Sequence, residues 1–187
     1  MKLHPLESLT AEEINKAVDL YRSHDKSDEN TLFINITLVE LSKEIVRSYK
    51  EGEEFDRSVK IVGVDSKPDG GFVASIDLNK EEVTFIERLP NEAQAAYSFA
   101  EVGLATVLTK QNKEYQDALK KRDVTNLDLV QIDPWPAGGV VHESIKPGHR
   151  AMRTISFLKE NETDNAYAKP IQGVISHVDL TLKEVTC

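Results

Sequence analysis

Along residues 127–133 apolar and polar positions alternate, with Asp128, Val130 and Ile132 on one face and Leu127 and Leu129 on the other. That period of two predicts a strand. Asp133-Pro134 is expected to stop it, because Pro134 has no N–H for the next ladder bond and holds Asp133 extended. Pro136 and Gly138-Gly139 follow, so the single tryptophan, Trp135, sits on a short, stiff corner. Local pattern alone favours a ring that plugs a core or a domain boundary. A corner on a rigid scaffold can also present a side chain to a ligand or partner.

Upstream the pattern opens on a helix. Thr10-Ala11-Glu12-Glu13 is a capping box, Leu9 and Ile14 form its hydrophobic staple, and Ile14, Ala17, Val18 and Tyr21 make one apolar face. The helix is expected to end near Ser23. A strand over 31–40 follows, with Leu32, Ile34, Ile36 and Leu38 assigned to one side. Residues 41–56 read as a loop with a helical turn. Strands over 58–65 and 72–78 are joined by the turn Lys67-Pro68-Asp69-Gly70-Gly71, and a fourth strand covers 82–89.

Leu89-Pro90-Asn91 reads as a boundary, and the order then repeats. Ser98-Phe99-Ala100-Glu101 is a second capping box, with Tyr97 and Val102 as its staple. Val102, Ala105, Thr106 and Thr109 continue its helical face. A helix over 112–122 is new to this half. Strands follow at 127–133, 149–158 and 168–180, with a polar turn at 159–165. Residues 73–83 align with 175–185, matching at Asp77-Leu78/Asp179-Leu180 and Glu82-Val83/Glu184-Val185. Val83 begins a strand, whereas only two residues follow Val185, so 187 residues are expected to be the front of something longer. The expected fold is α+β: two tandem cystatin-like domains, 1–90 and 91–187, each a helix on a four-stranded antiparallel sheet.

Composition adds limits. A 40% hydrophobic, 29% charged chain of 187 residues is typical of globular proteins. No apolar run is long enough to span a membrane, and residues 1–7 lack a signal-peptide core. A net charge of −9 without a basic stripe argues against nucleic acid or anionic lipid as partner. The lone cysteine, Cys187, excludes an intrachain disulfide and leans mildly toward a reducing, cytoplasmic setting.

Candidate chemistry is sparse. His142-Glu143 and His149 are the nearest thing to a ligand cluster, but three or four convergent ligands are needed and they read as solvated loop residues. His177 reads as a half-buried strand residue. Cys187 has no histidine partner in sequence, and no phosphate-binding glycine loop is present. Asn35-Ile36-Thr37 and Asn161-Glu162-Thr163 are glycosylation triplets, of which only the second falls in an expected loop.

Several segments resemble one known family. Asp133-Pro134-Trp135 with Gly138, following Asp128-Leu129-Val130, is similar to the third N-terminal domain of copper-containing primary amine oxidases. His4-Pro5-Leu6 with Leu9-Thr10-Ala11-Glu12-Glu13-Ile14 resembles the opening of the family's second N-terminal domain. Asp164-Asn165-Ala166-Tyr167-Ala168-Lys169-Pro170-Ile171-Gln172-Gly173 and Val178-Asp179-Leu180 resemble later segments, all in register.

The resemblance implies a parent enzyme that oxidises primary amines to aldehydes, releasing ammonia and hydrogen peroxide with copper and topaquinone. Those groups belong to a C-terminal catalytic domain, the implied partner. The family's quinone forms from a tyrosine after asparagine, and two of its three copper histidines form His-x-His. Here no tyrosine follows an asparagine and no His-x-His occurs, so neither catalytic nor metal residues carry over. The resemblance does imply Trp135, with Ala137, at the wall of the substrate channel in a homodimeric parent; the 187-residue chain alone is expected to be monomeric and inactive. Gly139-Val140 stands where many members place an aromatic, and Asp123 where glycine is common, which leaves the preferred amine open. The competing reading is a freestanding, cystatin-like binding protein with Trp135 as its contact residue.

Overall fold

The computed structural model describes residues 4–65, 70–90, 93–140 and 142–187. Most of the turn expected at 67–71, and Asn91 of the expected boundary, lie outside the described residues. Two compact units emerge, Met1–Ala96 and Tyr97–Cys187. Each carries a four-stranded antiparallel sheet with helices, the α+β arrangement expected.

In the first unit, α1 (Ala11–Arg22) starts at its capping box: the Glu13 N–H donates to Thr10 Oγ1 at 3.2 Å and the Thr10 N–H to Glu13 Oε2 at 2.8 Å. The sheet runs β1 (Leu32–Val39), β2 (Ser58–Val64), β3 (Gly71–Asp77) and β4 (Glu82–Arg88) in spatial order. A short helix, α2 (Lys43–Ser48), interrupts the connection between β1 and β2. Ala17 and Tyr21 of α1 bury completely against Val59, Ile61, Phe72, Ala74 and Ile76, making one continuous core. Tyr21 and Phe72 stack with ring centroids 4.6 Å apart. The Phe72 ring lies over its register partner Gly63, where a Cβ would stand 2.4 Å from Phe72 Cζ. Only a residue without a side chain fits there.

The face assigned to β1 needs correction. Its pairing with β2 slips between Phe33 and Asn35, and Phe33 and Ile36 pack on the core. An extra residue in one strand reverses the alternation, so Phe33 replaces Ile34 on the helix side. Phe33 meets Tyr21 edge-on at 5.8 Å, a contact that strict alternation would have lost.

The second unit begins with α3 (Phe99–Gln111), capped by Ser98 and Glu101 as expected, and α4 (Lys113–Lys120), capped by Asn112. Asp123, at φ 59°, lets the Val124 N–H reach back to the Leu119 carbonyl at 3.1 Å. This left-handed turn ends the helix where glycine is usual, and aspartate is among the few side chains that tolerate it. The sheet runs β5 (Val130–Pro136), β6 (Ala151–Leu158), β7 (Pro170–Asp179) and β8 (Glu184–Thr186).

Here the strand expected at 127–133 is displaced. Leu127–Leu129 form a 3-10 turn, and β5 continues through both prolines, pairing Pro134 with Thr154 and Pro136 with Met152. The reason is position. β5 is an edge strand, and the Ala137 N–H donates inward to Ala151 O at 3.2 Å. Backbone groups alternate sides along a strand, so residues 134 and 136 turn their nitrogens away from β6, where no donor is required.

The repeat is structural as well as sequential. Asp77 Oδ1 accepts the N–H groups of Asn79 and Lys80, and Asp179 Oδ1 those of Thr181 and Leu182. Glu81 and Lys183, 102 positions apart, both take a left-handed φ, 58° and 61°. In each unit an arginine at the foot of the second strand grips the N3 glutamate of the capping box. Arg57 Nε lies 2.7 Å from Glu13 Oε1, and Arg150 Nε 2.5 Å from Glu101 Oε1.

The two cores differ in one respect. In the second unit, Ala105, Met152, Val178 and Leu180 form one apolar cluster and Tyr115, Leu119, Val130, Ile132 and Val174 another. Between them, along β6 and β7, lie the fully buried Thr154, Ser156 and Ser176. Tyr115 donates to or accepts from Ser156 at 2.6 Å, while Thr154 Oγ1, Ser176 Oγ and Thr109 Oγ1 have no partner among the described residues.

Candidate functional site

The period-two pattern of β5 turns Val130 and Ile132 into the core and Gln131, Asp133 and Trp135 outward. Trp135 is 54% exposed, and its indole N–H donates to Asp133 Oδ2 at 2.9 Å. The ring therefore plugs nothing: it lies on the surface, oriented by the carboxylate two residues before it. Ala137 is only 7% exposed and packs with Ile145 and Ala151. Its methyl anchors the corner, while Gly138 at φ 61° and Gly139 lead out to an exposed Val140.

Register extends this row across the sheet. Trp135 pairs with Arg153, Arg153 with His177, and His177 with Thr186. Ile175 and Tyr167 add exposed apolar surface, and Tyr167 meets Phe157 edge-on at 5.0 Å. The outer face of the second sheet is thus rich in large apolar groups, whereas its inner face is covered by α3 and α4.

At the end of the row the His142 N–H donates to His177 Nδ1 at 3.2 Å, with the rings 6.0 Å apart. Burial, then the neighbouring His142 and Arg153, holds the His177 imidazole below its ordinary pKa. The accepting Nδ1 assigns the proton of the neutral ring to Nε2. Ser144 Oγ bonds His142 Nδ1 at 2.9 Å and Thr186 Oγ1 at 3.1 Å, tying the loop to β8.

His149 departs from its sequence reading as a solvated loop residue. Its side chain is buried, and Nδ1 lies 2.6 Å from Asp179 Oδ2. The histidines are thus divided between two separate arrangements. Among the described residues no three His, Cys, Asp or Glu side chains converge to hold a metal ion. The donor set present does not fit a copper site. No helix of the described residues is long and apolar enough to cross a membrane.

Two family descriptions match the chain in tandem: copper amine oxidase N2 domain over residues 4–84, and copper amine oxidase N3 domain over residues 100–187. The chain belongs to the copper amine oxidase family. It is 31% identical over 182 residues to a primary amine oxidase of Arthrobacter sp. (strain P1), covering 97% of this chain and 27% of that protein. A primary amine oxidase of Klebsiella aerogenes is 26% identical over 186 residues, covering 97% and 24%. Among solved structures, the copper-containing benzylamine oxidase of Hansenula polymorpha superposes with a TM-score of 0.79 at 15% identity, over 98% of this chain and 29% of that one. The chain therefore spans about a quarter of the length of the amine oxidases it matches. Trp135, Ala137 and the outward row all lie within the N3-type segment.

Arg153 and the two arginine–glutamate clamps were not singled out from the sequence. The clamps had a signal: Arg57 and Arg150 both stand just before the second strand of their repeat. Arg153 had only its outward position in an alternating strand.

Proposed function

We propose that this chain is the N-terminal, non-catalytic part of a copper- and topaquinone-dependent primary amine oxidase, with 1–90 and 91–187 as its two domains. Trp135 lines the path by which a primary amine reaches the catalytic domain, and Ala137 sets the position of that corner through its packing with Ile145 and Ala151. The observation that carries the reading is the exposed Trp135 ring, fixed by Asp133 on a rigid edge strand inside an N3-type segment. A surface tryptophan held in one orientation presents a large apolar face at little further entropic cost, which suits a channel wall or a docking surface. The parent's copper and quinone chemistry is assigned to residues outside this chain.

The test begins with the reading frame beyond Cys187. It should encode an Asn-Tyr-Asp/Glu motif and a His-x-His. The full-length protein should oxidise primary amines, and Trp135→Ala should change kcat/KM among amines while copper content stays constant. An unchanged amine preference would remove Trp135 from the channel. A frame that closes at Cys187 would favour the freestanding binding protein.

A further inference from the structure

We infer that Arg153 anchors the outer face of the second sheet to a carboxylate carried by the remainder of the parent polypeptide; this rests on the proposed function. Arg153 lies on β6 between Trp135 and His177 in register, on the face opposite α3 and α4. Its Nε is buried and has no hydrogen-bond partner among the described residues. Four other arginines of the chain are committed. Arg57, Arg88 and Arg150 grip Glu13, Asp65 and Glu101, and Arg122 donates to the carbonyls of Ala118, Gln172 and Gly173. The acids two positions from its register partners are engaged elsewhere, Asp133 by the Trp135 indole and Asp179 by His149.

A guanidinium without an ion-pair partner among the described residues, set amid apolar side chains, constrains what can cover them. Trp135, Tyr167 and Ile175 are each at least half exposed, so the face offers apolar area. Covering it with apolar surface alone would strip Arg153 of water and leave a charge unpaired. The covering surface must bring an acceptor, and a carboxylate matches the guanidinium fork with two parallel bonds. The matched amine oxidases supply a source, since about three-quarters of their length lies outside the part aligned with this chain.

The experiment is zero-length carbodiimide cross-linking of the full-length R153K protein, which couples an amine only to a carboxylate in direct contact. Peptides are then mapped by mass spectrometry. The expected product joins the peptide containing position 153 to an Asp- or Glu-containing peptide beyond Cys187, and R153M does not form it. R153M should also leave the melting temperature of the 187-residue chain unchanged, while lowering that of the full-length protein. A product with Asp133, a product between two copies of segment 1–187, or a lower melting temperature of the short chain would each overturn the inference. So would the absence of any product at position 153 in an active full-length enzyme, and there the amine oxidase reading survives. If the frame closes at Cys187, both fall together.

Discussion

Arg150 holds Glu101 through two parallel hydrogen bonds, Nε to Oε1 at 2.5 Å and Nη2 to Oε2 at 3.0 Å, while the same carboxylate caps α3 through the Ser98 N–H at 2.8 Å. One buried side chain thus closes a helix end and joins it to the sheet across 49 residues. Arg57 and Glu13 repeat the device in the first unit. Arg150→Met would leave Glu101 buried without its counter-charge and is expected to cost ~3 kcal/mol or more in chemical denaturation. Adding Glu101→Gln should recover part of that loss; strict additivity of the two changes would show that they do not act as a pair.

Acid should reveal the same clamps. Burial pushes the Glu101 carboxyl upward, but the Arg150 and Ser98 hydrogen bonds outweigh it, and its pKa ends below the ordinary value. The Arg57 hydrogen bond lowers that of Glu13. A depressed carboxylate pKa contributes stability fully above the unfolded value, and that contribution is lost as pH falls through the folded one. Denaturation midpoints should therefore fall as pH drops below ~4.3, and more steeply for the wild type than for Glu101→Gln or Glu13→Gln. Parallel profiles would remove the clamps from the acid response.

Gly63 tests the packing of the first core. A methyl at position 63 would overlap Phe72 Cζ and Cε1, at 2.4 and 2.6 Å, and Phe72 is itself fixed by its stack on Tyr21. Gly63→Ala is expected to cost ~1–3 kcal/mol. In a Phe72→Leu background the penalty should shrink; an equal penalty would point to the backbone rather than the ring.

Unpartnered buried hydroxyls make an opposite prediction. Tyr21 Oη has no partner among the described residues, and burial pushes its pKa up to about 12. Deleting a buried hydroxyl that makes no bond removes a desolvation cost. Tyr21→Phe, and Thr154→Val in the second unit, should leave stability unchanged or raise it. A loss above ~1 kcal/mol in either would reveal a bonded hydroxyl.

Trp135 is the emission probe of the chain. With its ring half exposed, emission should be red-shifted and readily quenched by acrylamide. Trp135→Ala should cost the 187-residue chain well under the ~3–5 kcal/mol of a buried tryptophan. A blue, shielded emission with a large loss of stability would make the residue structural.

How much of this was legible in sequence depended on range. Thr10 and Ser98 announce their helices because a cap bonds three residues away. The hairpin strands and the repeat of Asp77 at Asp179 are equally local. The slip at Phe33 was not legible, since it lies in the pairing of β1 with β2, a strand distant in sequence. Nor was the path of β5 through Pro134, because being an edge strand is a property of the assembled sheet. His149 looked solvated in its Gly- and Pro-rich loop until Asp179, 30 residues on, closed over it. The exposure of Trp135 went against the local pattern, which favoured a plug, and the row through Arg153 and His177 required the register of three strands.

The prolines of β5 have a consequence for how this protein can associate. A free strand edge ordinarily invites a neighbouring chain to add a further strand, the first step toward fibrils. Along this edge two successive outward positions, 134 and 136, lack the hydrogen that such a strand would need to capture. Partners can therefore meet Trp135 and its neighbours through their side chains, while from Pro134 to Pro136 this margin offers an added strand no backbone hydrogen.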